Sequence, residues 1–232
     1  MPTIFTIPKA GTQFMTALMQ ELNISTPVNH YSSKDMPSNK IGNRNVVLVR
    51  DLRDVMCAVP FWIDQLASGN IIKNHIFVNH PFTGPYLSQT ASEKLLQCIS
   101  KEGLPQGHME ATQNCCKLIL ELMKRSDTFV LRFEDVIGKS AGGNLDDDER
   151  IALLQKVCKH IRRPRSAKDI RKALDQIWGK SHTYNPVKKK VHRWEALFED
   201  THKEAFIKIW DAINLELGYS SLLNLETTMK AA

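Results

Sequence analysis

Several devices that would declare a function outright are scarce or missing in this chain. Its five cysteines, Cys57, Cys98, Cys115, Cys116 and Cys158, form no CxxC pair and no regular framework. An odd count without spacing reads as reduced thiols in a cytosolic protein rather than a disulfide scaffold. No stretch reaches the roughly 18 apolar residues needed to span a bilayer. Met1 to Pro8 lacks the charged start and apolar run of a secretory leader. The expectation is a soluble, cytoplasmic protein with no membrane partner. Eleven glycines and ten prolines are no excess for the length, which argues against disorder over most of the chain. The Walker-type pattern GxxxxGK[ST] is absent. Internal repeats and low-complexity tracts are also lacking.

What is present is an ordinary globular composition, 42% hydrophobic and 24% charged over 232 residues. That length supports one substantial core, and residues 1–232 are expected to form a single domain. The net charge of +6 is unevenly placed. Between Lys159 and Arg193 stand twelve Lys or Arg against two acids, Asp169 and Asp175, so the rest of the chain is mildly acidic. As a block, this run points to an anionic partner.

Short apolar runs alternate with helical periodicity. Thr3–Ile7, Asn45–Arg50 and Thr128–Phe133 are rich in β-branched and apolar residues and read as buried strands. Phe14, Leu18, Met19 and Leu22 fall at helical spacing, which predicts a helix over Thr12–Leu22 with Thr12 near its N-cap. Further helices are predicted over Asp51–Ala67, with Pro60 as a kink or boundary, and near residues 90–101, 108–125, 147–161, 166–178 and 201–217. Gly218 sits where a C′ glycine would end the last of them. Pro27–Arg44 is polar and turn-rich and is expected to be loop. Strands alternating with helices predict an α/β three-layer fold, α/β/α, around a central, mainly parallel sheet, with ligands at the carboxyl ends of its strands.

The strongest local signal is Ile7-Pro8-Lys9-Ala10-Gly11-Thr12-Gln13, between the first strand and the first helix. A tight turn there aims backbone N–H groups and a helix N-terminus at one spot, which favours an anion. Lys9 adds a positive charge and Thr12 a hydroxyl. The segment resembles the PKxGT loop of sulfotransferases that use 3′-phosphoadenosine 5′-phosphosulfate (PAPS). Three further segments follow in that family's order. Val49-Arg50-Asp51-Leu52-Arg53-Asp54-Val55 is similar to its R-[DN]-P-[RK]-D-V segment. Val130-Leu131-Arg132-Phe133-Glu134-Asp135-Val136 is similar to its LRYEDL strand end. Lys188-Lys189-Lys190-Val191-His192-Arg193-Trp194, followed by Leu217-Gly218-Tyr219, matches its basic loop and terminal helix loosely, without the loop's glycines.

The resemblance implies a P-loop NTPase-like sulfotransferase fold and transfer of a sulfuryl group from PAPS to a hydroxyl or amine acceptor, with PAP as product and no metal. Lys9 is then the group that stabilises the leaving oxygen. Lys9, Ala10, Gly11, Thr12, Gln13 and Phe14 hold the 5′-phosphosulfate end and pack near the adenine. Arg50, Lys188 and Lys189 hold the 3′-phosphate. The family's phosphate-binding serine, eight residues after that arginine, is here Ala58. The general base falls to His30, with His75, His80 and Asp35 as competitors; an imidazole is suited to take a proton near neutrality. Glu134 and Asp135 are expected to serve structure. The acceptor, a small molecule or a carbohydrate, is open between a phenolic or apolar molecule, received by Tyr31, Phe77, Phe82 and Tyr86 unless these are local packing, and a polyanionic one met by the block at Arg162–Lys172. Two rival readings stand beside this one: a P-loop-type small-molecule kinase, and a non-catalytic protein that binds a nucleotide or polyanion. A nucleic-acid partner is not expected, because no recognised binding module accompanies the basic block.

Overall fold

The computed structural model describes residues 2–29, 41–68, 81–100, 108–177 and 191–224. His30, Lys188 and Lys189, with the competing bases Asp35, His75 and His80, lie outside the described residues. Along the chain the first elements are β1 (Ile4–Thr6), α1 (Thr12–Glu21), β2 (Val28–Asn29), β3 (Asn45–Val49), α2 (Leu52–Ala67), α3 (Thr83–Leu87), α4 (Ala91–Ser100) and α5 (His108–Met123). There follow β4 (Thr128–Arg132), α6 (Phe133–Ile137), a 3₁₀ turn at Lys139–Ala141, α7 (Asp147–His160), α8 (Ala167–Ile177), α9 (Trp194–Leu197), α10 (Asp200–Ile209) and α11 (Asp211–Glu216). The contacts divide the chain into two compact units, Met1–Arg50 with Thr112–His192 and Asp51–Ala111 with Arg193–Ala232.

The first unit is built on a four-stranded sheet in the order β2-β1-β3-β4, and every pair is parallel. Ile4 lies opposite Val28 on one side and Val46 on the other, while Asn45 to Val49 run in register with Thr128 to Arg132. Every residue of β1 and β3 is buried, the signature of central strands covered on both faces. One face of the sheet presents Ile4, Val46, Leu48 and Leu131 to a core filled by Met15, Leu18 and Met19 of α1. Ile151, Leu154 and Val157 of α7 and Ile170, Ala173 and Leu174 of α8 join the same core. The chain is therefore α/β with a parallel sheet, as the alternation of strand and helix patterns predicts.

The second unit is helical. α2 packs on α4, and α4 on α10. The indole Nε1 of the fully buried Trp210 donates to the Ile99 carbonyl at 2.9 Å, and Lys94 pairs with Asp64 at 2.9 Å.

Four local expectations change. β2 lies in the segment read as loop; its two residues reach the sheet by pairing with Ile4 and Phe5 rather than by any pattern of their own. Phe133 does not extend the third long strand but opens α6. α2 runs through Pro60 without a boundary. An interior proline costs about 3 kcal/mol, and the burial of Val55, Met56, Val59, Ile63 and Leu66 on the same helix offsets it. The helix predicted over residues 201–217 is broken at Trp210, where φ is −121°. The Asp211 carboxylate there receives the Ser221 hydroxyl and the Leu222 N–H. Gly218 does end the helix: with φ 91° its N–H bonds the Leu215 carbonyl, and the Tyr219 N–H bonds that of Asn214, a Schellman pair. No helix among the described residues is long and apolar enough to cross a membrane.

Candidate functional site

The connection from β1 to α1 is a turn followed by an abrupt helix start. The Ala10 N–H bonds the Ile7 carbonyl at 3.0 Å, closing a four-residue turn with Pro8 and Lys9 at its centre. Lys9 has a positive φ of 66°. Proline cannot adopt positive φ, so the turn is of type II, with proline at its first central position and a left-handed residue at its second. A lysine held left-handed costs about 1–2 kcal/mol. Burial pulls the Lys9 ammonium down from its ordinary 10.5 to about 7.

Gly11 follows as the N-cap of α1, with φ 98° and no side-chain hydrogen bond capping the helix. Two constraints require glycine there. The positive φ is one; the other is space, since an added Cβ would lie 2.4 Å from Cδ2 of Phe133. The N-terminus of α1 is thus left without the usual capping side chain, and its first turn comprises Thr12, Gln13 and Phe14. Thr12 Oγ1 lies 2.6 Å from Thr6 Oγ1, and either hydroxyl can donate to the other. Ala10 is fully buried, so what it offers the turn is backbone. Gln13 is exposed, while Phe14 is half-buried against the core.

Arg50 ends β3 next to this turn. Its Nη1 donates to the Lys9 carbonyl at 2.8 Å, and its guanidinium lies 4.7 Å from the centre of the Phe133 ring. The structure therefore brings Lys9, Ala10, Gly11, Thr12 and Arg50 together. It does so because the sheet order reverses between β1 and β3: the chain leaves β1 toward β2 and leaves β3 toward β4, so the carboxyl ends of the two strands lie at the switch point where parallel sheets take their ligands. An anion there would meet a helix N-terminus, a lysine and an arginine within one unit.

Phe133 is the site residue that sequence reasoning missed. In its segment the acidic pair drew the attention, yet the ring of Phe133 lies against both Gly11 and Arg50 and is only 6% exposed. The Glu134 backbone carbonyl accepts from the Asn144 N–H at 2.9 Å, and the Asp135 carboxylate from the Asn144 side chain at 2.8 Å, so the pair anchors the loop that follows α6.

The second unit carries the rest of the Arg50 segment. Asp51 caps α2 by accepting from the Arg53 N–H at 3.0 Å and grips the Arg53 guanidinium with both oxygens. The Leu52 N–H donates to Asn214 Oδ1 at 2.8 Å. Arg53 stacks over the Trp194 ring at 4.1 Å, and the Asp54 carboxylate accepts from the N–H groups of Arg193 and Trp194. This helix N-terminus is sealed by the protein's own groups. Ala58 lies half-buried in the second turn beyond them. Among the described residues no cluster of His, Cys, Asp or Glu is arranged to hold a metal.

Comparison with known proteins brings nothing further to the site: no family model matches the chain, and no curated protein matches it.

Proposed function

We propose that the chain is a PAPS-dependent sulfotransferase of the P-loop-like fold, and that the cradle formed by Pro8–Thr12 with Arg50 holds the donor. The observation that carries this reading is the pairing of an uncapped α1 N-terminus with a half-buried Lys9 at the switch point of a parallel sheet, with Arg50 bonded to the same turn. The four sequence segments that resemble the family fall in its order, and two of them supply this cradle.

Bound there, the donor would supply a sulfuryl group on a phosphate leaving group. The N–H groups of Thr12, Gln13 and Phe14 and the Thr12 hydroxyl would receive the 5′-phosphate oxygens. Lys9, recharged by the approaching anion, would neutralise the charge that grows on the departing oxygen, as in phosphoryl transfer through a loose transition state. Arg50, held against the turn by its bond to the Lys9 carbonyl, would meet the 3′-phosphate through its guanidinium. Lys188 and Lys189 would close over that phosphate, Phe14 would border the adenine, and His30 would accept the proton of a small-molecule or carbohydrate hydroxyl or an amine.

A second reading, donor-nucleotide binding without transfer, draws on Ala58 in place of the family's serine and on Arg50, which is only 6% exposed. Calorimetry with PAP, compared with ATP and magnesium, tests the cradle. One site that takes PAP and ignores ATP is expected, and no heat with PAP overturns the proposal. Radiolabelled sulfate transfer from PAPS to phenols, amines and sugars then separates the readings: PAP uptake with no labelled product leaves the binding protein.

A further inference from the structure

The part of the basic block at residues 156–172 does not belong to the cradle. Within the first unit, the α7 terminus meets the start of β3, where His160 Nε2 lies 3.1 Å from the Asn45 carbonyl. The loop after it meets the end of α1, where Arg165 Nε donates to the Leu22 carbonyl at 2.9 Å. Both anchors lie at the amino ends of the parallel strands, whereas the cradle lies at their carboxyl ends. Lys156, Lys159, Arg162, Arg163, Lys168 and Lys172 are all exposed along this edge, and among the described residues none forms an ion pair. Arg171, beside them, pairs with Asp148.

Local stability does not account for this collection. Cations in the last turn of α7 suit the helix dipole, but Lys168 stands in the first turn of α8, where the dipole disfavours it. Arg162 is the C′ residue of a Schellman pair at the end of α7, with φ 58°: its N–H bonds the Lys159 carbonyl and the Arg163 N–H bonds that of Cys158. Glycine is the residue that suits that position, and arginine there carries strain. A patch that breaks two local rules to gather charge is the pattern of a functional surface.

We propose that this edge docks the protein on an anionic membrane surface through lipid headgroups, leaving the cradle facing away from the bilayer. The patch offers mainly long, exposed cations, with Asp169 as the acid among them. The Ser166 hydroxyl and the Asp169 carboxylate already cap α8, so no helix N-terminus is presented to the rigid phosphate array of a duplex. None of the exposed large apolar side chains, Phe61, Leu87, Val130, Leu197, Leu215 and Leu223, falls in residues 156–172, so aromatic stacking on single strands and insertion into the acyl region are both absent. Clusters of four to eight Lys or Arg on a surface attract anionic headgroups, which rearrange in the plane to meet them.

The test is co-sedimentation of the full chain with phosphatidylcholine vesicles containing about one-third phosphatidylserine, against pure phosphatidylcholine, with duplex DNA as a parallel ligand. Binding to the anionic vesicles that weakens steeply with salt is expected, together with a loss of about thirtyfold or more in Arg162→Glu/Lys168→Glu and an unchanged PAP heat. Arg162→Gly should bind vesicles about fivefold more weakly while melting at a higher temperature, a combination that damage to the fold does not produce. Equal binding to neutral vesicles, tighter binding to duplex DNA at the same ionic strength, unchanged binding by the double variant, or loss that follows Lys188–Lys190 substitution alone overturns the proposal.

Discussion

Two strand-to-helix junctions in this chain look alike in sequence and differ in structure. Each pairs a basic residue with a potential capping group just after a buried strand: Lys9 to Thr12 after β1, and Asp51 to Asp54, with Arg53 as the basic residue, after β3. At the first, the cap is a left-handed Gly11 without a side chain, and α1 begins uncapped above a partly discharged lysine. At the second, Asp51 and Asn214 consume the first N–H groups of α2, and Arg53 is locked between a carboxylate and an indole. A helix N-terminus is attractive to an anion only while its donors are unspent. The difference teaches which junction is built for a ligand and which for the fold.

The widest gap between the two should appear on removing Asp51. Asp51→Ala leaves the buried Arg53 charge without its carboxylate, which costs about 3–5 kcal/mol, read from denaturant unfolding. PAP affinity of the folded fraction should stay the same; a parallel fall in affinity would break the contrast. The opposite signature is expected for Lys9→Met. Transfer of radiolabelled sulfate should fall by about a hundred- to a thousandfold, the range seen when one preorganised charge-stabilising donor is lost.

Lys9→Met should also melt higher than the parent at neutral pH, with a definite pH dependence. The folded-state value of about 7 lies below the ordinary 10.5, so between those values the unfolded chain binds the extra proton and parental stability rises with pH. The advantage of the variant is therefore largest near and below pH 7 and fades toward pH 10.5. A melting difference that does not change across that window would show that Lys9 is not desolvated.

Gly11→Ala sharpens the contrast by filling the open junction. The new methyl meets Phe133 at 2.4 Å in a backbone region costly for alanine, and a loss of about 2 kcal/mol is expected, with PAP uptake weakened as well. The smallest effect is a proton count. At pH 8 Lys9 is mostly neutral in the empty cradle, so PAP binding should take up to about one proton, and almost none at pH 6. Calorimetry in buffers of different ionisation heat measures it; no uptake at pH 8 would place Lys9 outside the anion's reach.

Legibility followed the reach of the interactions involved. β1, α1 and the Gly218 stop were readable because alternation, helical spacing and a left-handed glycine act within a few residues of chain. Pro8-Lys9-Ala10-Gly11 declared a turn for the same reason. Pro60 does not end α2, because the cost of a helical proline is local, while the burial that outweighs it comes from the unit around α2. Trp210 acts in the other direction: helical spacing runs through it, but its bond to Ile99, more than a hundred residues earlier, pins the chain where the helix turns. Phe133 was hidden among better-known neighbours, since a ring lying against a glycine leaves no periodic trace.

Residue chemistry by itself determined that this chain forms a parallel α/β sheet, with a positively charged turn after its first strand and a basic run near its end. Only the tertiary structure decided what those pieces do together. The order β2-β1-β3-β4 brings Arg50 to the Lys9 carbonyl and sends the residues around Arg162 to the far edge, because strand order is set by packing partners distant in the chain, and spacing along the chain carries no record of them.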